Sequence, residues 1–301
     1  MIGIGVIGLG TMGRRMIDGL KANGDFTVVA GYDPASVEID IPRAPSIQAL
    51  IDDPTVDCIY IATPPATHEE LIRAASLAGK AIFCEKPLAA SPSSAQACLD
   101  AVARNPVPAA VNFPFATAAA AVRLRELVEA GALGNDLSAH LTLRFKTWPR
   151  GWQHGAVTWL AGSEQGGFTR EVMSHFVFLA LRLFGPGRLV EHHVERGAQG
   201  SETRVRAVVQ FAACKLTIDG AVEGEVDDLN RFEVKGSKGS AVMSDWYALH
   251  HASGSIEPTR PDGGQIAELA LLLKAHPNRL ATFAEAAQVV DIIEGILKPE
   301  T

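Results

Sequence analysis

The segment Gly8-Leu9-Gly10-Thr11-Met12-Gly13 constrains the fold of this chain more than any other. It ends an apolar run that begins at Ile2 and opens a stretch of helical character from 11 to 23. A G-x-G-x-x-G pattern alone is weak, because glycines are common. Between a strand and a helix each glycine has a task. The first permits the tight turn, the second lets the backbone approach a pyrophosphate, and the third lets the helix pack closely on the sheet. The helix N-terminus then offers free N–H groups and a partial positive charge to phosphate. Asp33 ends the next apolar run, "FTVVAGYD", twenty residues after Gly13. Its carboxylate is placed to accept both hydroxyls of an adenosine ribose and to repel a 2′-phosphate. Pro34 follows it, where a phosphate-binding arginine would have been useful. Gly8, Gly10, Thr11, Met12, Gly13 and Asp33 are therefore expected cofactor contacts, with NAD favoured over NADP.

Up to Phe113 the chain alternates strand-like and helical runs. "VDCIYIAT" (56–63), "AIFCEKP" (81–87) and "VPAAVNF" (107–113) read as continuous apolar strands. "THEELIRAASLAGK" opens on a capping box, Thr67 with Glu70, and stops at Gly79. "SPSSAQACLDAVARN" has Ser91 as its cap and Pro92 in its first turn. Buried strands separated by helices indicate a parallel sheet covered on both faces. After a helix that ends at Gly134, the pattern changes to period-2 alternation with glycine-containing turns, which suggests an antiparallel meander. A helix over 169–184 interrupts it, and a last helix spans roughly 280–297. The expectation is α/β: a Rossmann doubly wound domain over 1–114, then an α+β domain over 115–301 with a large, mainly antiparallel open-faced sheet.

The formal net charge of -7 argues against nucleic acid or an anionic membrane as the main partner. No apolar run is long and clean enough for a membrane span, and the N-terminal segment lacks the flanks of a signal peptide. The four cysteines are widely spaced, with no C-x-x-C pair and no zinc spacing, so they read as small core hydrophobes of a cytoplasmic protein. The doublets His192-His193 and His250-His251 would point to opposite faces on strands. No metal site is expected.

Glu85-Lys86-Pro87 stands at the carboxyl end of a predicted parallel strand, the edge that faces the ligand crevice in open α/β sheets. Taken with the glycine turn and with Thr63-Pro64 and His68, it resembles the glucose–fructose oxidoreductase / inositol dehydrogenase family, Gfo/Idh/MocA. "AVRLRELVEAGALG" (121–134), "WLAGSEQGG" (159–167) and "FEVKGSKGSAV" (232–242) extend the resemblance through nearly the whole chain. It implies a nicotinamide-dependent dehydrogenase or reductase acting on a small molecule. It adds Thr63, Pro64, His68, Glu85 and Lys86 to the cofactor contacts. It also implies homodimers or homotetramers built on the C-terminal sheet.

Members of that family commonly carry D-x-G-x-H-x-x-D on the helix that lines the substrate pocket, and the first Asp and the His act with the Lys of E-K-P. Laid onto "GGFTREVMSHFVFLALRLFG" (166–185), Glu171 takes the first Asp position and His175 the His. Met173 replaces the Gly and Phe178 the second Asp. The resemblance makes Lys86, His175 and Glu171 the catalytic group: His175 as general base near its ordinary pKa of about 6.5, Glu171 as its orienter, Lys86 as stabiliser of developing alkoxide. Glu171 reads equally as a carboxylate stabilised by the helix macrodipole. Phe178 and Trp159, with Trp148 and Trp152, suggest a pocket less polar than that of a sugar dehydrogenase. Arg170 would bind a substrate carboxylate or pair with a neighbouring acid. An imine or enone reductase and a non-catalytic dinucleotide sensor are the competing functions.

Overall fold

The computed structural model describes residues 1–151, 153, 160–223, 225–259 and 263–299. Contacts divide the chain into two compact units, Met1–Thr117 with Pro261–Val290, and Ala118–Arg260 with Asp291–Thr301.

The first unit contains β1 (Ile2–Ile7), α1 (Thr11–Lys21), β2 (Phe26–Tyr32), α2 (Ile47–Asp52), β3 (Cys58–Ile61), α3 (His68–Leu77), β4 (Ala81–Glu85), α4 (Pro92–Arg104) and β5 (Ala109–Asn112). The second contains α5 (Ala119–Glu129), β6 (Leu137–Arg144), a π-helical turn (Thr169–Met173), α6 (Ser174–Phe184), β7 (Gly187–Arg196), β8 (Glu202–Phe211), β9 (Cys214–Ala221), β10 (Leu229–Gly236), β11 (Gly239–Ser244), β12 (Ala248–His251) and β13 (Gly254–Ile256). Two further helices, α7 (Gly264–Leu273) and α8 (Phe283–Leu297), complete the described chain.

In the first unit the strands form one parallel sheet in the order β2-β1-β3-β4-β5. The order reverses between β1 and β3, which makes their carboxyl ends the topological switch point where such sheets take ligands. Every residue of β3 and β4 is buried, as the uninterrupted apolar runs required. Ser46 and Ser91 cap α2 and α4 through their hydroxyls. The capping box at Thr67 does not form. Pro64-Pro65 starts a 3₁₀ turn over Pro65–Thr67, and the Thr67 hydroxyl donates to the Pro64 carbonyl at 2.9 Å instead.

The contact units differ from a single cut at 114/115 in that the first runs on to Thr117 and takes in a later stretch. Helix α7 and the first half of α8 return to the first unit. Ile266, Leu269 and Ala270 of α7 share a core with Met16, Ile17 and Leu20 of α1. Gly19 makes that packing possible, since a Cβ there would collide with Ile266 Cδ1.

The second unit has an eight-stranded sheet, β13-β12-β11-β10-β6-β9-β8-β7. All its pairings are antiparallel except β6 with β9. The simple meander is thus interrupted where β6 enters between β9 and β10. Helix α6 covers the buried face, with Phe176 stacked on Phe232 of β10 at 6.2 Å and Phe184 against Phe211 of β8 at 5.6 Å. Such apolar burial is the main stabilising term, roughly 25 cal/mol per Å². No helix among the described residues is long and apolar enough to cross a membrane.

Glu202, at the start of β8, is 1% exposed. Its carboxylate lies against Gly167, where a Cβ would collide with it. Burial pushes its pKa up from the ordinary 4.5, and the charges of Arg170 and Arg196 offset only part of that rise. A raised folded-state pKa means the stability is fully present below the unfolded value and is lost as pH rises through the folded value. Glu202→Gln is therefore expected to raise Tm at pH 7, by about 2–4 °C per kcal/mol recovered, with the advantage vanishing below about pH 4.5. Calorimetry of both proteins across pH 4–8 checks this, and equal Tm values at pH 7 would refute it.

Candidate functional site

In the first unit the turn after β1 is shaped by sterics. Gly8 has φ of +96°, and a Cβ on it would meet the Ala62 carbonyl oxygen at 2.5 Å. A Cβ on Gly13 would collide with the carbonyl oxygen of Gly8. Gly10 differs, because a Cβ on it would meet nothing within 4 Å. It caps α1 without a side-chain hydrogen bond, and the first turn holds no acidic residue. The N–H groups at the head of α1 thus face an open space with their partial positive charge unopposed. Thr11 and Met12 are exposed beside it.

Asp33 braces this turn. Its Oδ2 accepts from Leu9 N–H at 2.8 Å and its Oδ1 from Ala35 N–H at 2.9 Å. Each carboxylate oxygen keeps a further lone pair for a ribose hydroxyl. Arg43, which the sequence reading did not single out, donates to the carbonyls of Asp33 at 2.8 Å and Ala35 at 3.2 Å. It is ten residues from Asp33 in sequence and meets it only because the chain folds back, with Gly31 N–H donating to Pro42.

The loops after β3 and β4 are tied by His68, which is fully buried. One ring nitrogen faces the Thr63 carbonyl at 2.9 Å and the other the Pro87 carbonyl at 3.0 Å. Burial holds its pKa below the usual histidine value. The sequence places His68 among the expected cofactor contacts. With no accessible surface it fixes the loops that carry Thr63, Pro64 and Lys86. Glu85 is buried too, accepting from the Tyr60 hydroxyl and from Asn112 Nδ2 at 2.7 Å, and so joins β3, β4 and β5. Lys86 follows it, partly exposed.

In the second unit the helix bearing Glu171 and His175 opens with a π-helical turn, where a continuous α-helix was expected. Arg170 is consumed by structure. It donates to both carboxylate oxygens of Glu294 at 2.6 and 2.8 Å, and to the carbonyls of Ser163 and Gly166 at 2.8 and 3.0 Å. Of the two roles expected for Arg170, the structure shows the pairing with an acid, and the residue is buried. Phe178 is fully buried, with the Arg182 guanidinium 4.9 Å from its ring centroid. A side chain without accessible surface presents no wall to a substrate in this conformation. Trp159 lies outside the described residues, as does Trp152; Trp148 donates its indole N–H to the Leu160 carbonyl at 3.1 Å.

His175 is 8% exposed, with Nδ1 buried. Its ring meets the ring of Trp246 edge to face at 5.4 Å and 86°. Around it are Glu171, one-quarter exposed, and Arg150, whose Nη2 lies 3.8 Å from Glu171 Oε1 and whose Nη1–H donates to Asp228 Oδ2 at 2.7 Å. Trp246 donates its indole N–H to the same Asp228 oxygen at 3.1 Å. Arg150, Asp228 and Trp246 carried no local motif, and only the sheet brings them to α6.

The four cysteines are free and buried, with the Cys58 thiol pushed up to about 12 by desolvation. His192-His193 and His250-His251 lie on β7 and β12, and no group of three or more His, Cys, Asp or Glu among the described residues is arranged to hold a metal.

The comparisons agree on kinship. The sequence matches the Gfo/Idh/MocA oxidoreductase family with an NAD-binding Rossmann fold over residues 2–113 and the GFO/IDH/MocA C-terminal domain over 121–242. An inositol 2-dehydrogenase of Rhizobium meliloti is 27% identical over 278 residues, 86% of this chain and 79% of that protein. An uncharacterized oxidoreductase of Streptococcus pneumoniae is 29% identical over 174 residues, which is 56% of this chain and 46% of that protein. Two solved structures share the fold. A putative myo-inositol dehydrogenase from Sinorhizobium meliloti gives a TM-score of 0.78 at 22% identity, covering 98% of this chain and 95% of that one. GenD2 from gentamicin A biosynthesis, in complex with NAD, gives 0.81 at 21%, covering 97% and 92%. With a parallel nucleotide-binding sheet, a large second sheet, and both family domains matched in order, this chain is an oxidoreductase of the Gfo/Idh/MocA family.

Proposed function

We propose that the chain is a dehydrogenase or reductase for a secondary alcohol, or the matching ketone, on a cyclic substrate that is sugar-like or less polar. The observation that carries this reading is His175: an imidazole held at 8% exposure on a mostly apolar helix, one turn after Glu171. The inositol 2-dehydrogenase relative supports a polyol-like substrate.

The dinucleotide fits the first unit, since the open space at Gly10 and the uncapped head of α1 suit a pyrophosphate. When bound, it supplies the hydride acceptor or donor. Gly8, Gly10, Thr11, Met12 and Gly13 would hold its phosphates, Asp33 its adenosine ribose, and Thr63, Pro64, Glu85 and Lys86 would form the far end of its groove. NAD is favoured because the Asp33 carboxylate repels a 2′-phosphate, and Arg43 is engaged by loop carbonyls.

With Nδ1 buried, His175 takes the hydroxyl proton at Nε2 during alcohol oxidation. In the first unit, Lys86 is the candidate donor for charge that develops on the substrate. Glu171 favours the imidazolium once the proton has moved. The same reading has copies of the chain associate through the second sheet into dimers or tetramers in the cytoplasm.

Two experiments test this. His175→Ala is expected to lower kcat/KM by about 10²–10⁴-fold while NADH affinity is kept. Lys86→Ala should cost a similar factor. A panel of inositols, sugars and less polar cyclic alcohols assayed by NAD reduction supplies the substrate. Retention of activity by both variants across that panel would refute the reading. Second, Gly10→Ala is expected to leave Tm unchanged but weaken NADH binding about tenfold or more, whereas Gly13→Ala should lower Tm as well. Fluorescence titration and calorimetry separate the two effects.

A further inference from the structure

Trp246 stands in an unusual backbone state. It has φ of +65°, and its neighbour Asp245 has φ of +48°. Bulky side chains avoid this left-handed region, and such residues persist only where the surroundings over-determine them. The turn between β11 and β12 does not need a tryptophan, since glycine or asparagine would adopt the same conformation without the steric conflict.

The surroundings do over-determine it. The Trp246 backbone N–H donates to Asn230 Oδ1 at 2.7 Å, and its indole N–H donates to Asp228 Oδ2 at 3.1 Å. Arg150 lies 5.8 Å from its ring centroid and donates to that same Asp228 oxygen at 2.7 Å. Two segments distant in sequence, Asp228–Asn230 and the one carrying Arg150, therefore hold this residue. The fixed indole meets His175 edge to face and also packs against Phe176 at 5.9 Å.

We propose that Trp246 is a positioning residue for His175: anchored by Asn230 and Asp228, it sets the plane of the imidazole so that one ring nitrogen is presented for proton transfer. The inference rests on the reading of His175 as the general base. An imidazole on a helix can still rotate about its last side-chain bond, where the torsional wells are broad. An edge-to-face aromatic contact restricts that freedom, because rotation of either ring loses the favourable geometry. The charged groups facing this pair are Glu171 from the π-helical turn, Arg150 from the segment after β6, and Asp228 from the segment before β10. Asp245, beside Trp246, is exposed.

The test uses the full-length protein and Trp246→Leu, Trp246→Phe and Asn230→Ala, with His175→Asn as the control for the reading beneath. NMR of the histidine ring signals, assigned by their loss in His175→Asn, needs no substrate. Trp246→Leu is expected to move the His175 ring protons and to turn one tautomer into a mixture. Trp246→Phe should restore the wild-type pattern in large part, and Asn230→Ala, which removes the backbone anchor and a 3.4 Å bond to Asp228, should shift the same signals in the same direction by less. With myo-inositol as the probe alcohol, Trp246→Leu should lower kcat by about tenfold with KM little changed and alter the pH–rate profile. NADH affinity should be unchanged. His175 signals at their wild-type positions in Trp246→Leu would overturn the proposal, and so would moved signals with kcat and the pH profile intact. Wild-type activity in His175→Asn instead strikes the reading of His175 as base, and so separates that failure from this one.

Discussion

The approach of helix α1 to the strand before it governs the first unit. Gly13 rests where a side chain would overlap the carbonyl of Gly8, and Gly8 itself turns through a left-handed backbone against the Ala62 carbonyl. These close contacts fix the head of α1 at the carboxyl edge of the parallel sheet. Asp33 then locks the turn from β2 by accepting the Leu9 N–H. The positive end of the helix is left open to solvent with no side chain capping it, and an anion finds its donors already aimed.

Two further devices hold the same edge rigid. His68 spans the loops after β3 and β4 through carbonyl groups on both sides, and Glu85 gathers Tyr60 and Asn112 from the flanking strands. Both are buried polar groups, and such groups are tolerated only when satisfied. Their satisfaction is what keeps the segment around Lys86 in one conformation. Neither group needs to touch a ligand to matter to one.

The second unit pairs two of its buried arginines. Arg170 is clamped to Glu294 in a two-pronged contact, and Arg150 is shared between Asp228 and the rings of Trp148 and Trp246. Pairing of this kind avoids the several kcal/mol that an isolated buried ion would cost. The charged residues at the head of the apolar helix thus have separate fates: one is a strut, and the other, Glu171, keeps part of its surface.

The sequence by itself determined the features that depend on local sterics and periodicity. The glycine turn, the buried parallel strands, the caps at Ser46 and Ser91 and the helix carrying His175 all express what a short segment can do wherever it lies. The tertiary structure alone decided which side chains meet. It sent α7 back to the first unit, because an apolar helix face reads the same whatever core it joins. It buried His68 and Phe178, withdrew Arg170 to Glu294, and brought Arg43 to Asp33 and Trp246 to His175. Those partners lie ten to more than a hundred residues apart in sequence. Only the folded sheet and its packed helix set the distances between them.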